Sequence, residues 1–316
     1  MALSIAEVNT AQTKFFDKKK VNMNQVYEDD PVLNKLLKNN KIVTRGGTSI
    51  QFPIRYRKYS KADAVGADKQ ITFERKTTRT GGDLEWKYYS VDTMMTQAER
   101  VQNTGTPQLI DLLGDKEEEI RQDMMDRIAT DLYTANPNGL GFSSLAEIVD
   151  SATTYAGIAV ADAAAWAGVE DSSTTELVLY GSNSLSYWCN QATFGRKMPT
   201  LMTTTRDMAS KFESLVEPLK RYSDKETASA GFPNVTFHGI PVVGNPYVPT
   251  GDWYGLCMEM FELRVAPEFN LETTPWTDLF AAGFPWALGR VMSLVCNLLC
   301  RMRKVNFKAT ALDYTL

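Results

Sequence analysis

Residues 103–139 read NTGTPQLIDLLGDKEEEIRQDMMDRIATDLYTANPNG, and the rest of the chain is organised around this stretch. Thr106 ahead of Pro107 is a helix start. The threonine hydroxyl suits the N-cap, and a proline at the first helical position forfeits no hydrogen bond. Leu109, Leu113, Ile120, Met124, Ile128 and Leu132 then recur at helical spacing and keep one apolar stripe inward. Asp115, Glu117, Glu118 and Glu119 fall on the remaining surface. Asn136-Pro137-Asn138-Gly139 stops the pattern. The spacing predicts one helix over about 106–135, the longest regular element of the sequence. Some 28 residues of it would span roughly 42 Å at about 1.5 Å per residue.

Upstream, residues 1–30 are polar and mixed, with Phe15 and Phe16 the strong apolar anchors before Tyr27. They read as an extended arm with little core of its own. Pro31 opens a short helix through Val32, Leu33, Leu36 and Leu37. Gly46-Gly47 is a turn signal, after which Ile50, Phe52 and Ile54 alternate with polar residues as in a strand. Pro53 cannot donate to a ladder and predicts an edge strand or a bulge. Gly81-Gly82 reads as a second turn. Beyond it, Leu84, Trp86, Tyr88 and Ser90 form one strand face, with Glu85, Lys87 and Tyr89 opposite.

Residues 46–98 therefore read as a long two-stranded arm, which is marginal alone in water. Its base and tip are basic, with Arg45, Arg55, Arg57, Lys58, Lys61, Lys69, Arg75, Lys76 and Arg79 set against Asp63, Asp68 and Glu74. Such a segment is either a solvated loop or an arm completing its burial on an oppositely charged neighbour. The acidic arm and the acidic helix supply partners for the second reading, which is favoured.

Downstream, the pattern predicts a short strand at 144–149 and an alanine-rich turn around Trp166. A strand through Leu177, Leu179 and Tyr180 and a helix from Ser184 to Ala192 follow. A helix at 205–222 carries Met208, Phe212, Leu215, Val216 and Leu219, with Pro218 kinking or ending it. Short strands come next around 235–237, 240–243, 254–258 and 263–265. A final strand runs from Ala287 to Phe307 with Met292, Leu294, Cys296, Leu298 and Cys300 on one parity. Arg301, Arg303 and Lys304 read equally as inward-facing basic residues or as solvated strand ends. The class is α+β.

The composition excludes several functions. A chain of 316 residues with 43% hydrophobic and 23% charged residues is an ordinary globular one. A net charge of −4 disfavours a dedicated sequence-specific nucleic-acid binder. No run approaches a membrane span, and the first residues lack a secretion signal. Cys189, Cys257, Cys296 and Cys300 include no Cys-x-x-Cys pair and are read as buried free thiols. One histidine, His238, sits at a predicted turn and weakens every triad scheme. Gly139-x-Gly141 lacks the third glycine of a dinucleotide loop, and Glu117-Glu118-Glu119 point in different directions on a helix. No cofactor, metal or catalytic residue is expected.

The order of these segments resembles the major capsid proteins of tailed phages, the Hong Kong 97-type fold, over about residues 30–308. The strings that carry the likeness are Gly46-Gly47 with the strand to Arg55, and Asn103-Thr104-Gly105 before the Pro107 helix. Gly139-Leu140, Ile148-Val149, Tyr155-Ala156-Gly157-Ile158 and Trp166 follow in family order. Gly231-Phe232, Phe237-His238-Gly239-Ile240-Pro241-Val242-Val243 and Pro275-Trp276 complete it. Two departures stand out. Thr200 follows Pro199 where relatives carry an acidic residue, and Gly244-Asn245 replaces an expected aspartate.

The resemblance implies a Hong Kong 97-like capsid fold with an N-terminal arm (1–45), an extended loop (46–98) and a peripheral domain with the spine helix (99–176). An axial domain (177–265) and a return to the peripheral domain with the C-terminal strand (266–316) complete it. It also implies a non-enzymatic shell protein that forms pentamers and hexamers, assembled in the host cytoplasm into the virion. Partners would be packaged double-stranded DNA without sequence preference, a separate scaffolding protein and a portal; a decoration protein is left open. No charged helical scaffold segment precedes the fold, so scaffolding is expected from another chain. Candidate assembly residues are Phe15, Phe16, Arg55, Arg57, Lys58, Lys61, Arg75, Lys76, Arg79, Trp86, Tyr88, Glu117, Glu118 and Glu119. The alternatives are an encapsulin-type nanocompartment shell and an enzyme with a cryptic site.

Overall fold

The structure, a computed structural model, describes residues 30–43, 47–58, 64–68, 76–102, 112–134, 138–173, 176–216, 235–280, 283–284 and 286–313. The expected arm with Phe15 and Phe16, the tip residues Lys61 and Arg75, and the expected helix start at Thr106 lie outside these residues.

In chain order the elements are α1 (Pro31–Asn39), β1 (Lys41–Val43), β2 (Ser49–Arg55), β3 (Arg79–Glu85), β4 (Lys87–Thr96), α2 (Gln97–Gln102) and α3 (Leu112–Tyr133). They continue with α4 (Leu145–Ile148), β5 (Val169–Asp171), α5 (Leu185–Gln191), β6 (Leu201–Thr204), α6 (Arg206–Val216), β7 (Thr236–Phe237) and β8 (Ile240–Gly244). The last are β9 (Trp253–Leu256), β10 (Phe261–Thr273), β11 (Thr277–Asp278), β12 (Ala287–Cys300) and β13 (Phe307–Ala309). The mixture is the α+β class expected.

Helix starts follow sequence chemistry. Asp30 caps α1, its carboxylate accepting from Val32 N at 2.8 Å, and Pro31 occupies the first turn. Ser184 caps α5 by accepting from Tyr187 N at 3.2 Å. Along α3, Ile120, Met124, Ile128 and Leu132 are buried, as the stripe predicted; its first members, Leu109 and the Leu113 side chain, lie outside what the structure describes.

The chain forms two compact units. One holds Tyr88–Ile128 and Glu268–Leu294. In it β4 lies beside β12, and β11 pairs antiparallel with β12 through Thr277↔Gly289. Among the described residues, Tyr89, Met95, Ile120, Met124, Ile128, Met292 and Leu294 are its large buried side chains.

The other unit comprises Asp30–Lys87, Ala129–Pro267 and Val295–Leu316. It contains a six-stranded sheet in the order β5-β13-β9-β6-β8-β7 and the two-stranded sheet β2-β3. Its core holds Trp188, Phe212, Phe237, Trp253 and Phe307. Phe212 meets Trp253 edge-on at 5.5 Å, and Trp188 lies 6.2 Å from Phe307. Each such ring contributes about 1.5–3 kcal/mol by burial.

Five expectations are corrected. Residues 144–149 form not a strand but α4, because Ser144 accepts from Glu147 N at 3.3 Å and starts a helical turn. Leu177–Tyr180 is not a strand either. The carbonyls of Val178 and Leu179 accept from Leu185 N (2.9 Å) and Ser186 N (3.1 Å), serving the start of α5 instead of a ladder.

Gly81-Gly82 is not a turn: both lie inside β3, paired with Pro53 and Phe52. The Phe52 ring covers Gly82 so closely that a Cβ there would sit 2.7 Å from it. The same device recurs where Phe307 pairs with Gly255 and covers it. The strand face read through Leu84, Trp86 and Tyr88 breaks at Trp86, between β3 and β4. That one-residue slip reverses parity, so Tyr89 is buried and Tyr88 is 74% exposed.

Finally, Arg303 is not a solvated strand end; it is fully buried. By contrast, Cys189, Cys257, Cys296 and Cys300 are free and buried as expected. His238 occupies a turn at φ +51, also as read.

Candidate assembly surface

The extended hairpin is built from β2 and β3, in register from Ser49↔Glu85 to Arg55↔Arg79. One face points inward, with Ile50, Ile54 and Leu84 buried and Phe52 tilted against Trp166 at 6.5 Å. Asp83 N donates to Ala156 O at 2.9 Å, and Asn297 Nδ2 to Glu85 O at 2.6 Å. The expectation that this hairpin lacks internal burial is therefore corrected at its base. Gly82 and the alternation of apolar residues let one face seat on its own unit.

The other face is exposed: Asp83 and Glu85 stand on it near the base, and it turns basic toward the tip. Arg55 and Arg79 stand directly opposite each other, an arrangement that costs free energy unless an anion or acidic surface relieves it. Arg57, Lys58 and Lys76 continue the exposed charge toward the tip. Arg57 lies over the Tyr56 ring at 5.1 Å and reaches Asp162 O at 3.5 Å. Trp86, predicted as an assembly residue, is half-buried, and its indole donates to Gly47 O at 3.1 Å. That bond fixes Gly47, whose φ of +95 suits glycine, at the mouth of the hairpin. Tyr88 is exposed.

In the unit containing most of α3, Glu117, Glu118 and Glu119 are all exposed and spread around the helix. Glu117 is paired with Arg290, whose guanidinium lies over Trp276 at 6.0 Å. Glu118 accepts from Gln122 at 3.2 Å, and Glu119 stands 3.6 Å from Lys116. The same unit exposes Phe280, Phe284 and Trp286. Exposed aromatic side chains of this size mark contact surfaces.

Two buried polar hubs were not visible in the sequence. Asn245 donates from Nδ2 to Asp30 Oδ1 and to the Tyr133 hydroxyl, both at 2.8 Å. Burial pushes the Asp30 carboxyl up to about 6, against the opposing effect of the Val32 and Leu33 amides, Asn245 and Tyr133. The second hub is Arg303. Its guanidinium donates to the carbonyls of Ile148 (2.6 Å), Thr153 (3.0 Å), Glu147 (3.2 Å) and Asp150 (2.9 Å). Tyr155 and Trp166 lie against it at 5.7 and 5.9 Å. Sequence spacing gives no sign of either hub, since the partners are about 100 residues or more apart. Burial raises the thiols of Cys189, Cys296 and Cys300 to about 12, which makes them poor nucleophiles.

No protein-family model and no curated protein matches this chain. Solved structures do. One titled as a cyanophage A-1(L) capsid asymmetric unit superposes with a TM-score of 0.71 at 14% identity, covering 96% of this chain and 99% of that one. A Mycobacterium phage Bobi chain matches at 0.61 and 10% identity over 99% of both chains. The capsid of a native GTA particle matches at 0.58 and 10% identity, covering 99% of this chain and 100% of that one. The likeness covers 96% or more of this chain in each case, and the chain has the fold that these phage and GTA chains share.

Proposed function

We propose that this chain is the major capsid protein of a tailed bacteriophage. It self-assembles as pentamers and hexamers into an icosahedral head that encloses double-stranded DNA. The observation that carries this reading is the superposition on capsid chains over nearly the whole of this chain and of theirs. A shell role asks for surfaces rather than a reacting centre, and the chain carries exposed cations at the tip end of the hairpin and exposed carboxylates on α3. In a closed lattice such unlike patches meet between copies, because pentamers and hexamers require heterologous contacts. Opposite charges there fix register and partner choice more than they add affinity.

In this reading residues 99–176 and 266–316 serve as the peripheral domain, 177–265 as the axial domain, and 1–45 and 46–98 as the arm and loop that reach over neighbours. A separate scaffolding protein and a portal complete the head, with a decoration protein as an optional addition. The phage reading is favoured over an encapsulin-type nanocompartment because the structures described above are phage and GTA capsids. Electron microscopy of the purified, expressed chain, with and without its neighbouring phage genes, tests it. Closed particles or capsomer rings are expected, and a uniform monomer under every assembly condition would overturn the reading.

A further inference from the structure

The turn at residues 194–197 is closed by mutual backbone hydrogen bonds between Phe194 and Lys197 (2.8 and 3.1 Å), with Gly195 at φ +63. Arg196 projects from its exposed tip. Lys304, also exposed, sets its ammonium 5.2 Å from the centre of the Phe194 ring, so the ring holds the lysine stem while the charge stays in water. Next to them Lys197 pairs with Glu259, and Arg301 pairs with Glu262 at 2.6 Å. Glu262 also holds Arg264 at 2.6 Å, and Arg301 N donates to Met260 O at 2.9 Å, so these segments are continuous.

The surface thus carries Arg196, Lys197, Arg264, Arg301 and Lys304 against Glu259 and Glu262. It is a local positive excess in a chain whose net charge is −4. The two carboxylates already hold Lys197, Arg264 and Arg301. Arg196 and Lys304 are left to face a partner.

Resting on the shell reading, we propose that the surface centred on Phe194, Arg196 and Lys304 is where the subunit meets the phosphate backbone of packaged duplex DNA. Charge complementarity selects the occupant. A duplex backbone presents one negative charge per about 1.7 Å of axis, which a short row of cations at a turn tip can follow without ordering. A guanidinium and an ammonium are the usual phosphate partners, and nothing at this turn is shaped to enter a groove, so binding reads no sequence. Phe194 acts here as a positioning residue for Lys304.

The test uses the full-length chain, a fluorescent random-sequence duplex and anisotropy titrations at stepped salt, beside electron microscopy of the same preparations. The double variant Arg196→Gln/Lys304→Gln is expected to form particles as the native chain does. Its log affinity should fall less steeply with log salt, the slope shrinking by about 0.9 for each lost phosphate contact. Arg196→Lys should keep the native slope. An unchanged slope in the double variant would overturn the proposal, as would a native chain that binds no duplex at low salt. Lost particle formation with intact DNA binding would overturn it too, and would assign the surface to an acidic protein neighbour. Absence of particles from the native chain would instead count against the shell reading alone.

Discussion

Asn245 shows how one residue can fit its position better than the aspartate the resemblance leads one to expect there. It lies 2.8 Å from Asp30 Oδ1 and donates to it, so an aspartate would set two buried carboxylates against each other. Asn245→Asp is predicted to cost about 3 kcal/mol at neutral pH, read from urea unfolding. Stability equal to the native chain would refute this.

Asp30 itself makes stability depend on pH. Its folded value of about 6 lies above the ordinary 3.8 of an aspartate, so the folded state holds the proton more tightly. The stabilisation is full below about 3.8 and is lost as pH rises through about 6, on the order of 3 kcal/mol. Asp30→Asn keeps an N-cap and removes the titration. The native-minus-variant difference should therefore fall between pH 4 and 6.5 and stay flat above, and a flat difference throughout would contradict the assignment. At Arg303, replacement by Met strips the donor from the carbonyls of Glu147, Ile148, Asp150 and Thr153. A loss of about 4 kcal/mol is expected, with Arg303→Lys recovering only part of it, because one ammonium cannot span the same fork.

Among the elements, the hairpin carries the sharpest contrast between sequence and structure. The alternation of Ile50, Phe52 and Ile54 made β2 readable, yet Gly81-Gly82 looked like a turn because glycine pairs usually mark one. Only the cross-strand neighbour reveals their use: Phe52 fills the space that Gly82 leaves. Gly82→Val should displace that ring and destabilise the unit by about 1–3 kcal/mol, with Phe52→Ala restoring part of the loss in the double variant. Additive losses would mean the two do not share this space. Helices α1, α3 and α5 were legible because caps and periodic stripes are local signals. Residues 144–149 and 177–180 were not, because a capping hydroxyl and carbonyls that accept from a neighbouring helix start look like strand alternation in one dimension. Removing residues 58–76 spares the β2–β3 pairs, so the chain should stay folded but fail to close shells, as electron microscopy would show.

At the scale of the whole molecule, segment order was legible because each segment has its own period and punctuation. The long-range hubs were not, since Asp30 meets Asn245 and Arg303 meets Ile148 only once the chain has folded. The exposed charges were legible as composition but not as surfaces. The sequence shows a basic hairpin and an acidic helix, while the structure shows which face of each is left open. The central claim is that these two faces are satisfied by different copies of the chain. Zero-length carbodiimide coupling of particles assembled from mixed light and heavy-isotope chains, followed by mass spectrometry, tests it most directly. Lys58 should be joined to Glu118 or Glu119 in peptides pairing one light and one heavy chain. Links found only between peptides of the same isotope would mean the hairpin is completed within its own subunit, and the claim would fail.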